Sequence, residues 1–222
     1  MTAQVPQGAQ EYLECIFEME EEGADILQAR LSERLGVTPA TVSQAVRRLI
    51  TEGLIEMDGR KIHLSATGLE VATPLVRRHR LAERLLTDML GIPWYRAHAE
   101  AQDWEHVISP EVEQKILDKT GATTCPHGNP IPGMTPPYVR ADLVPLTELA
   151  EGEEGVLSLL TEDVELVTDI LKYFQDTGLM PGATVRVTRV GPDGTRMLSV
   201  DGKTSSLGAN LADNLWMTPV AS

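Results

Sequence analysis

Residues 27–64 carry the punctuation that most limits what this chain can fold into. A short apolar-periodic stretch from about Leu27 to Leu35 is stopped by Gly36. Thr38-Pro39 then supplies an N-cap and a first-turn proline for a helix running to about Glu52, closed by Gly53. The next segment, LIEMDGRKIHL, reads as two short strands around Asp58-Gly59, a dipeptide suited to a tight hairpin. Upstream, Tyr12, Leu13, Ile16, Phe17 and Met19 recur at helical spacing between Gly8 and about Glu22, ending at Gly23. Helix, helix, turn, helix, hairpin is the order of a winged helix-turn-helix. Val42, Val46 and Leu49 face its core in that arrangement.

Thr38, Thr41, Ser43, Gln44, Arg47 and Arg48 are left near the outer face of the third helix. Donors, acceptors and cations of these types read base edges and phosphates in a major groove. Arg60-Lys61 at the hairpin tip matches a wing that touches the nucleic-acid backbone, and Arg30 lies in the same stretch. The bland alternative is a polar face meeting only water. Charge supports the first reading locally. The 222-residue chain carries 33 acidic against 19 Lys and Arg side chains, a formal charge of −14 that argues against nonspecific coating of nucleic acid. Residues 28–64 nevertheless hold six basic and four acidic side chains, whereas residues 142–222 hold five and thirteen.

The length suits one large domain or two small ones. A long helix is expected from about Ser65 to Leu90, with further helices near Trp94–Val107 and Ser109–Lys119. Residues 122–141 contain five prolines and two glycines and read as an extended, proline-stiffened linker. Beyond Leu143, strands near 155–160, 184–190 and 197–200 with a helix from about Glu162 to Thr177 predict a small β-rich domain. The expected domains are 1–64, 65–121, the linker 122–141, and 142–222. No apolar run approaches the ~20 residues of a bilayer span, and no secretion signal is visible at the N-terminus. Two cysteines, Cys15 and Cys125, make no disulfide framework, so a cytoplasmic protein with no membrane partner is expected.

Four of the five histidines stand beside other potential metal ligands. His79 and Glu83 are one helical turn apart. Gln102, Glu105 and His106 form an i, i+3, i+4 cluster with His98 one turn earlier. Cys125 and His127 are two apart, and Glu162 and Glu165 open the last-domain helix. Imidazole and carboxylate clusters suit a divalent first-row cation, and oxygen-rich ones suit Mn(II) or Fe(II). Singly, His79-x-x-x-Glu83 also fits a surface pair, Cys125-Pro126-His127 a turn with a satisfied histidine, and Cys15 a small core residue.

The segments EYLECIFEMEEEG, ARLSERLGVTPATVSQAVRRLITEGLI, RRHRLAERLLTDMLG, HAEAQDWEHVISPEVE and HGNPIPG resemble the diphtheria toxin repressor family of metal-dependent bacterial transcriptional repressors. The resemblance covers nearly the whole chain. It implies an α+β architecture: an N-terminal winged helix-turn-helix, a helical metal-binding and dimerisation domain, and a C-terminal SH3-like (FeoA-like) β-rich domain. It places a primary, activating metal site on Glu11, Gln102, Glu105 and His106. The secondary site falls on His79, Glu83 and His98, joined by Glu162 and Glu165, with Cys125 and His127 contributing in relatives that carry a similar CPHG segment. The iron branch has Met at the position of Glu11 and Cys at that of Gln102, and the manganese branch has carboxylates at both. Glu11 thus follows the manganese branch and Gln102 neither. Oxygen in place of sulfur makes the site harder, favouring Mn(II), with Fe(II) as the alternative and about two ions per chain.

The resemblance further implies a homodimer on palindromic operator DNA, which metal sets at half-site spacing to control metal-uptake genes. Trp104 is a candidate dimer contact or, equally, intramolecular core. Two rivals stand beside this reading. A metal-dependent hydrolase would need an open coordination position and a poised base, and nothing designates a substrate pocket; no enzyme is expected. A repressor governed by a protein or organic effector would bind its operator regardless of chelators.

Overall fold

A computed structural model describes residues 5–134 and 142–220 as two compact units. The first comprises residues up to Arg78 together with Glu105–Val107, and the second His79–Trp104 and the chain from Ile108 onward.

In the first unit, helix α1 (Gln7–Glu21) buries Ala9, Tyr12, Leu13, Ile16 and Met19 along one stripe. Helices α2 (Gln28–Arg34) and α3 (Pro39–Thr51) follow, the latter turning Val42, Val46 and Leu49 inward. Thr38 caps α3, its hydroxyl accepting from the Thr41 amide at 3.2 Å. Strands β1 (Ile55–Asp58) and β2 (Lys61–Leu64) pair antiparallel, with Asp58 opposite Lys61. The two-residue loop is therefore Gly59-Arg60, one residue later than the expected Asp58-Gly59. Gly59 has φ 58° and Arg60 does not share a positive φ, the pattern of a II′ turn, whose first central position suits glycine. The shift places Arg60 at the wing tip. Leu31, Leu54, Ile55 and Ile62 complete one core with the helices. Arg34 and Glu22 form a largely buried ion pair at 2.7 Å.

Helix α4 (Ala66–Arg84) contains the boundary between the units. It is shorter than the expected 65–90 helix because Leu85–Met89 winds into a π-helical turn, with the Leu90 amide bonded to the Leu85 carbonyl at 3.1 Å. A 3₁₀ turn (Trp94–Arg96) leads into α5 (Ala97–Trp104), and α6 (Pro110–Thr120) is capped by Ser109. Since α5 ends at Trp104, Glu105 and His106 lie on the turn that follows rather than on the helix. Trp104 is half-buried and packs against the cluster that includes Leu81, Leu86, Ile108 and Ile116, so it contributes to its own unit's core.

The C-terminal part of the second unit is an antiparallel six-stranded sheet in the order β3-β8-β4-β5-β6-β7. Its strands are β3 (Val144–Pro145), β4 (Glu154–Leu160), β5 (Thr184–Val190), β6 (Arg196–Val200), β7 (Lys203–Leu207) and β8 (Leu215–Pro219). The expected 162–177 helix is two pieces, α7 (Glu162–Glu165) and α8 (Thr168–Thr177), because Val167 leaves helical backbone at φ −113°, ψ 88°. A short helix α9 (Ala209–Ala212) precedes β8. Phe174, Leu171, Leu157, Val185, Leu198 and Met217 form this core.

Residues 122–134 differ from the extended linker expected of them. Thr124 bridges to Pro130, the Cys125 amide bonds the Asn129 carbonyl at 2.7 Å, and Cys125 through Asn129 are all buried. The prolines shape a tight loop. Residues 135–141, with Pro136 and Pro137, lie outside the described residues. Among the described residues no helix is long and apolar enough to cross a membrane.

Candidate metal centres and nucleic-acid interface

Seven side chains meet in the buried interior of the second unit: His79 and Glu83 from α4, His98 from α5, Cys125 and His127 from the loop, and Glu162 and Glu165 from α7. Helical spacing aligns His79 and Glu83. The loop is held by cations one turn apart on the same helix: Arg84 donates to the carbonyls of Thr124 (2.8 Å) and Cys125 (3.1 Å), and Arg80 to that of Pro130. The His127 carbonyl accepts from the Leu160 amide at 3.0 Å, stitching the loop to the end of β4. Gly128 permits this approach: φ is +96°, and a Cβ there would lie 2.0 Å from the Ser158 carbonyl oxygen, beside the β4 bulge. Thr161 follows β4 directly and leads into α7.

Donor atoms crowd more closely than protons can satisfy. His98 Nδ1 lies 3.2 Å from His79 Nε2, 3.3 Å from Glu83 Oε1 and 3.4 Å from Glu165 Oε2. His127 Nδ1 lies 3.0 Å from Glu165 Oε2 and 3.2 Å from Glu83 Oε1, yet neither ring nitrogen of His127 has an aligned hydrogen bond. Glu83 Oε2 and His98 Nε2 are likewise buried without a hydrogen-bond partner. Ligands about 2.1 Å from one cation stand about 3.0–3.4 Å from each other in octahedral or tetrahedral geometry, so these spacings fit a metal ion. Buried polar atoms left this way are otherwise costly.

Protons can carry part of that role. Burial alone would lower the His98 imidazole, but the hydrogen bonds it donates to Glu165 and Glu83 outweigh it and raise its pKa to about 9. Burial opposes charge on His127 too, and the carboxylates of Glu165 and Glu83 raise it well above the usual range. Glu83 and Glu165 resist the upward push of burial because the His127 charge holds both below the ordinary carboxylate value. Glu162 goes the other way, to about 7, from burial and the Glu165 charge, although Arg80 Nη2 is 3.3 Å from its Oε1. Burial and the same two carboxylates push the Cys125 thiol up to about 12.

Three contributors were not legible as site residues in the sequence: Arg80, Trp94 and Asn129. Asn129 donates to Glu165 Oε1 at 2.5 Å and to the Leu160 carbonyl at 3.0 Å. Trp94 bonds the Pro126 carbonyl at 2.9 Å and stacks obliquely on His127, with ring centroids 4.6 Å apart. Arg80 had one signal, its place beside His79 and a turn before Arg84.

The other predicted ligands are arranged differently. In the first unit Glu105 is buried and His106 half-buried, with His106 Nε2 3.3 Å from Glu105 Oε1 and His106 Nδ1 3.1 Å from Gln10 Oε1. Glu11 is exposed on α1 and, among the described residues, is not gathered with Glu105 and His106 into a group whose ligand atoms lie within 4.8 Å of one another. Gln102 is exposed on α5.

On α3, Thr38, Thr41, Gln44, Arg47 and Arg48 are exposed and Ser43 half-exposed. Arg47 donates to Ser43 Oγ at 3.1 Å, and Arg48 pairs with Glu52 at 2.7 Å. Arg30 on α2 and Arg60 at the hairpin tip are also exposed. The recognition face expected of a helix-turn-helix is thus free of core duties.

Comparison with known proteins adds independent findings. Residues 6–62 match the family model described as the iron dependent repressor N-terminal DNA binding domain. Residues 65–133 match the iron dependent repressor metal binding and dimerisation domain, and residues 144–219 the FeoA domain. The chain is 41% identical over 202 residues to the iron-dependent repressor IdeR of Mycobacterium leprae, covering 86% of this chain and 87% of that one. It is 37% identical over 213 residues to the diphtheria toxin repressor of Corynebacterium diphtheriae, covering 92% and 93%. Among solved structures, a manganese-dependent transcriptional repressor in complex with manganese aligns with TM-score 0.83 at 30% identity, covering 96% of this chain and 100% of that one. ScaR with bound Zn²⁺ aligns with TM-score 0.78 at 26% identity, covering 96% and 99%. These proteins are transcriptional repressors, which removes the hydrolase reading. The chain belongs to the diphtheria toxin repressor family of metal-dependent transcriptional regulators.

Proposed function

We propose that this protein is a homodimeric, cytoplasmic repressor that binds palindromic operator DNA when Mn(II) is bound and thereby controls metal-uptake genes. The observation that carries the metal dependence is the buried convergence of His79, Glu83, His98, His127 and Glu165, within which Glu83 Oε2, His98 Nε2 and both ring nitrogens of His127 make no hydrogen bond. A bound divalent cation supplies positive charge that no side chain at this locus can match.

The reading has two metal loci per chain. The second is the buried cluster, with Glu162 and Cys125 as further ligands. The first, activating locus consists of Glu11, Gln102, Glu105 and His106. Carboxylates brought within ~4 Å repel by roughly 4 kcal/mol at an effective dielectric of 20, so without a cation Glu11 and Glu105 disfavour being closed together. About 5.5 kcal/mol of preference for the closed arrangement moves a population from 1:99 to 99:1. Mn(II) is favoured because the first locus offers only oxygen and imidazole. Fe(II) is the second choice, since the curated relatives bear iron-dependent names.

For DNA, α3 enters the major groove with Thr38, Thr41, Ser43, Gln44 and Arg47 toward base edges, while Arg30, Arg48 and Arg60 meet phosphates. Trp104, with exposed Met89, Leu90 and Val112 of the same unit, supplies the dimer face. The test is anaerobic operator binding with Mn(II), Fe(II), Zn(II) and Co(II) in turn, followed by chelation. Tight binding with Mn(II) that is lost on chelation supports the reading; binding that ignores the chelator overturns it.

A further inference from the structure

The buried locus holds more donors than one ion can take. Three imidazoles, three carboxylates and a thiol converge there, whereas first-row divalent ions accept four to six donors. Their arrangement is also not centred on one point. The ligand atoms fall into three overlapping groups within 4.8 Å: Glu83, Cys125, His127 and Glu165; His79, Glu83 and His98; and His98, Glu162 and Glu165. Among the described residues no group contains both His98 and His127, and their ring centroids are 6.4 Å apart. Two donors on one ion, each ~2.1 Å from it, are at most about 4.2 Å apart. Glu83 Oε1 and Glu165 Oε2 nevertheless approach both rings, at 3.3 and 3.4 Å for His98 and 3.2 and 3.0 Å for His127.

We infer that this locus is dinuclear: one ion on the His79, His98 and Glu162 side, a second on the Cys125 and His127 side, with the carboxylates of Glu83 and Glu165 bridging between them. The inference rests on the reading of this cluster as a metal site and raises the expected two ions per chain to three. Carboxylate-bridged ions stand ~3.5–4 Å apart in two-metal sites, a span that one bridging carboxylate oxygen between two imidazoles accommodates. The foci differ in chemistry. The first is all nitrogen and oxygen and suits Mn(II) or Fe(II). The second includes a thiolate and selects more thiophilic ions such as Zn(II) or Co(II). His127, a fully buried residue, makes no aligned hydrogen bond through either ring nitrogen, which points to the second focus. A lone ion among the His79 and His98 donors would leave those nitrogens unsatisfied.

Full-length protein is dialysed anaerobically against saturating Co(II), and bound cobalt and the thiolate-to-cobalt charge-transfer band are measured for the wild type, Cys125→Ala, His98→Ala and the double variant. Each single substitution is expected to remove one ion per chain and the double substitution two. His98→Ala keeps the charge-transfer band and Cys125→Ala loses it. Glu162→Gln replaces His98→Ala if the latter does not fold, with the same expected loss. A double variant that loses no more cobalt than either single variant, or a count unchanged by any of them, overturns the inference. Operator binding indifferent to metal, with the additive loss intact, would sink the regulatory reading and leave this one standing. Metal-dependent operator binding with a single ion at this locus would do the reverse.

Discussion

Donors from α4, α5, α7 and the 125–129 loop meet in a volume closed to solvent, where Glu83 and His127 are each 0% exposed. Glu11 stands exposed on α1, outside any tight group with Glu105 and His106. Donors are gathered at one locus and spread at the other. A preassembled site contributes binding energy to the fold, since a ligand that binds only the native state stabilises it. An unassembled site must spend binding energy on closing, which is what allows it to shift a conformational population. In the proposed reading, this comparison makes the buried locus the structural one and the locus of Glu11 the sensor.

The largest effect that can break this division is on stability without metal. Glu83→Ala removes a carboxylate facing His79, His98 and His127, leaving the buried imidazolium charge of His98 and His127 chiefly to Glu165. Breaking a buried pair in this way costs ~3–5 kcal/mol. At about 2–4 °C per kcal/mol for a chain of this size, the midpoint in chelator should fall by roughly 6–20 °C. Glu11→Ala, at an exposed position, should move it by no more than a degree or two. Equal losses in the two variants, measured by thermal unfolding, would erase the distinction.

The pH dependence of the metal-free protein is next in size. His98, raised to about 9, and His127, raised well above 6.5, contribute stability that is full below about pH 6.5 and lost as pH rises through their folded values. Glu162, raised to about 7, acts in the same direction because its neutral form is the one the fold favours. Glu83 and Glu165 are held low, so their contribution is present above pH 4.5 and lost only on acidification. The midpoint in chelator should therefore fall between pH 6.5 and 9.5, with His98 alone accounting for about 3 kcal/mol at 1.36 kcal/mol per pKa unit. With Mn(II) the trend should reverse, because ligands must lose protons to bind and affinity rises with pH. Parallel curves with and without metal would show that these groups are not the ligands.

Why the two loci were unequally legible in the sequence follows from how each is built. Glycines, the Thr38-Pro39 start and helical periodicity are local signals, and they located α1 to α3 and the wing to within a residue or two. The His79 and Glu83 pair and the Glu162 and Glu165 pair were visible as spacings for the same reason. That these pairs face one another across 80 residues is a tertiary fact, and so is the use of Arg80 and Asn129 to hold them. The loop at 122–134 shows the limit most directly: proline density signalled stiffness, but the direction of the chain is set by Gly128 against β4 and by Arg84 on the carbonyls of Thr124 and Cys125. The split of α7 from α8 at Val167 likewise carried no Gly or Pro to announce it.

Function should separate the loci in the opposite sense to stability. Glu11→Ala should lower Mn(II)-stimulated operator affinity by roughly tenfold to a hundredfold, about 1.4–2.8 kcal/mol, while leaving metal at the buried locus in place. Fluorescence anisotropy with labelled operator, read beside metal content, checks both halves. Undiminished Mn(II)-dependent operator binding would remove Glu11 from the sensor.

The smallest expected effect concerns a residue that touches no metal. His106 directs Nε2 toward Glu105 Oε1 at 3.3 Å and Nδ1 toward Gln10 Oε1 at 3.1 Å. If Nε2 is the ligating nitrogen beside Glu105, Nδ1–H donates to Gln10, which fixes the tautomer and the plane of the ring as outer-shell partners of ligating histidines do. Gln10→Ala frees that ring while keeping every ligand. Loss of such a partner costs on the order of tenfold in metal affinity, so the Mn(II) concentration for half-maximal operator binding should rise by about that factor while the maximum stays unchanged. Gln10→Glu, which retains an acceptor, should restore most of the affinity. The buried locus should not respond to either substitution, because its imidazoles are oriented by Glu83, Glu165 and Trp94. A Gln10→Ala protein with unshifted Mn(II) dependence would mean that Glu105 and the packing of the turn alone orient His106.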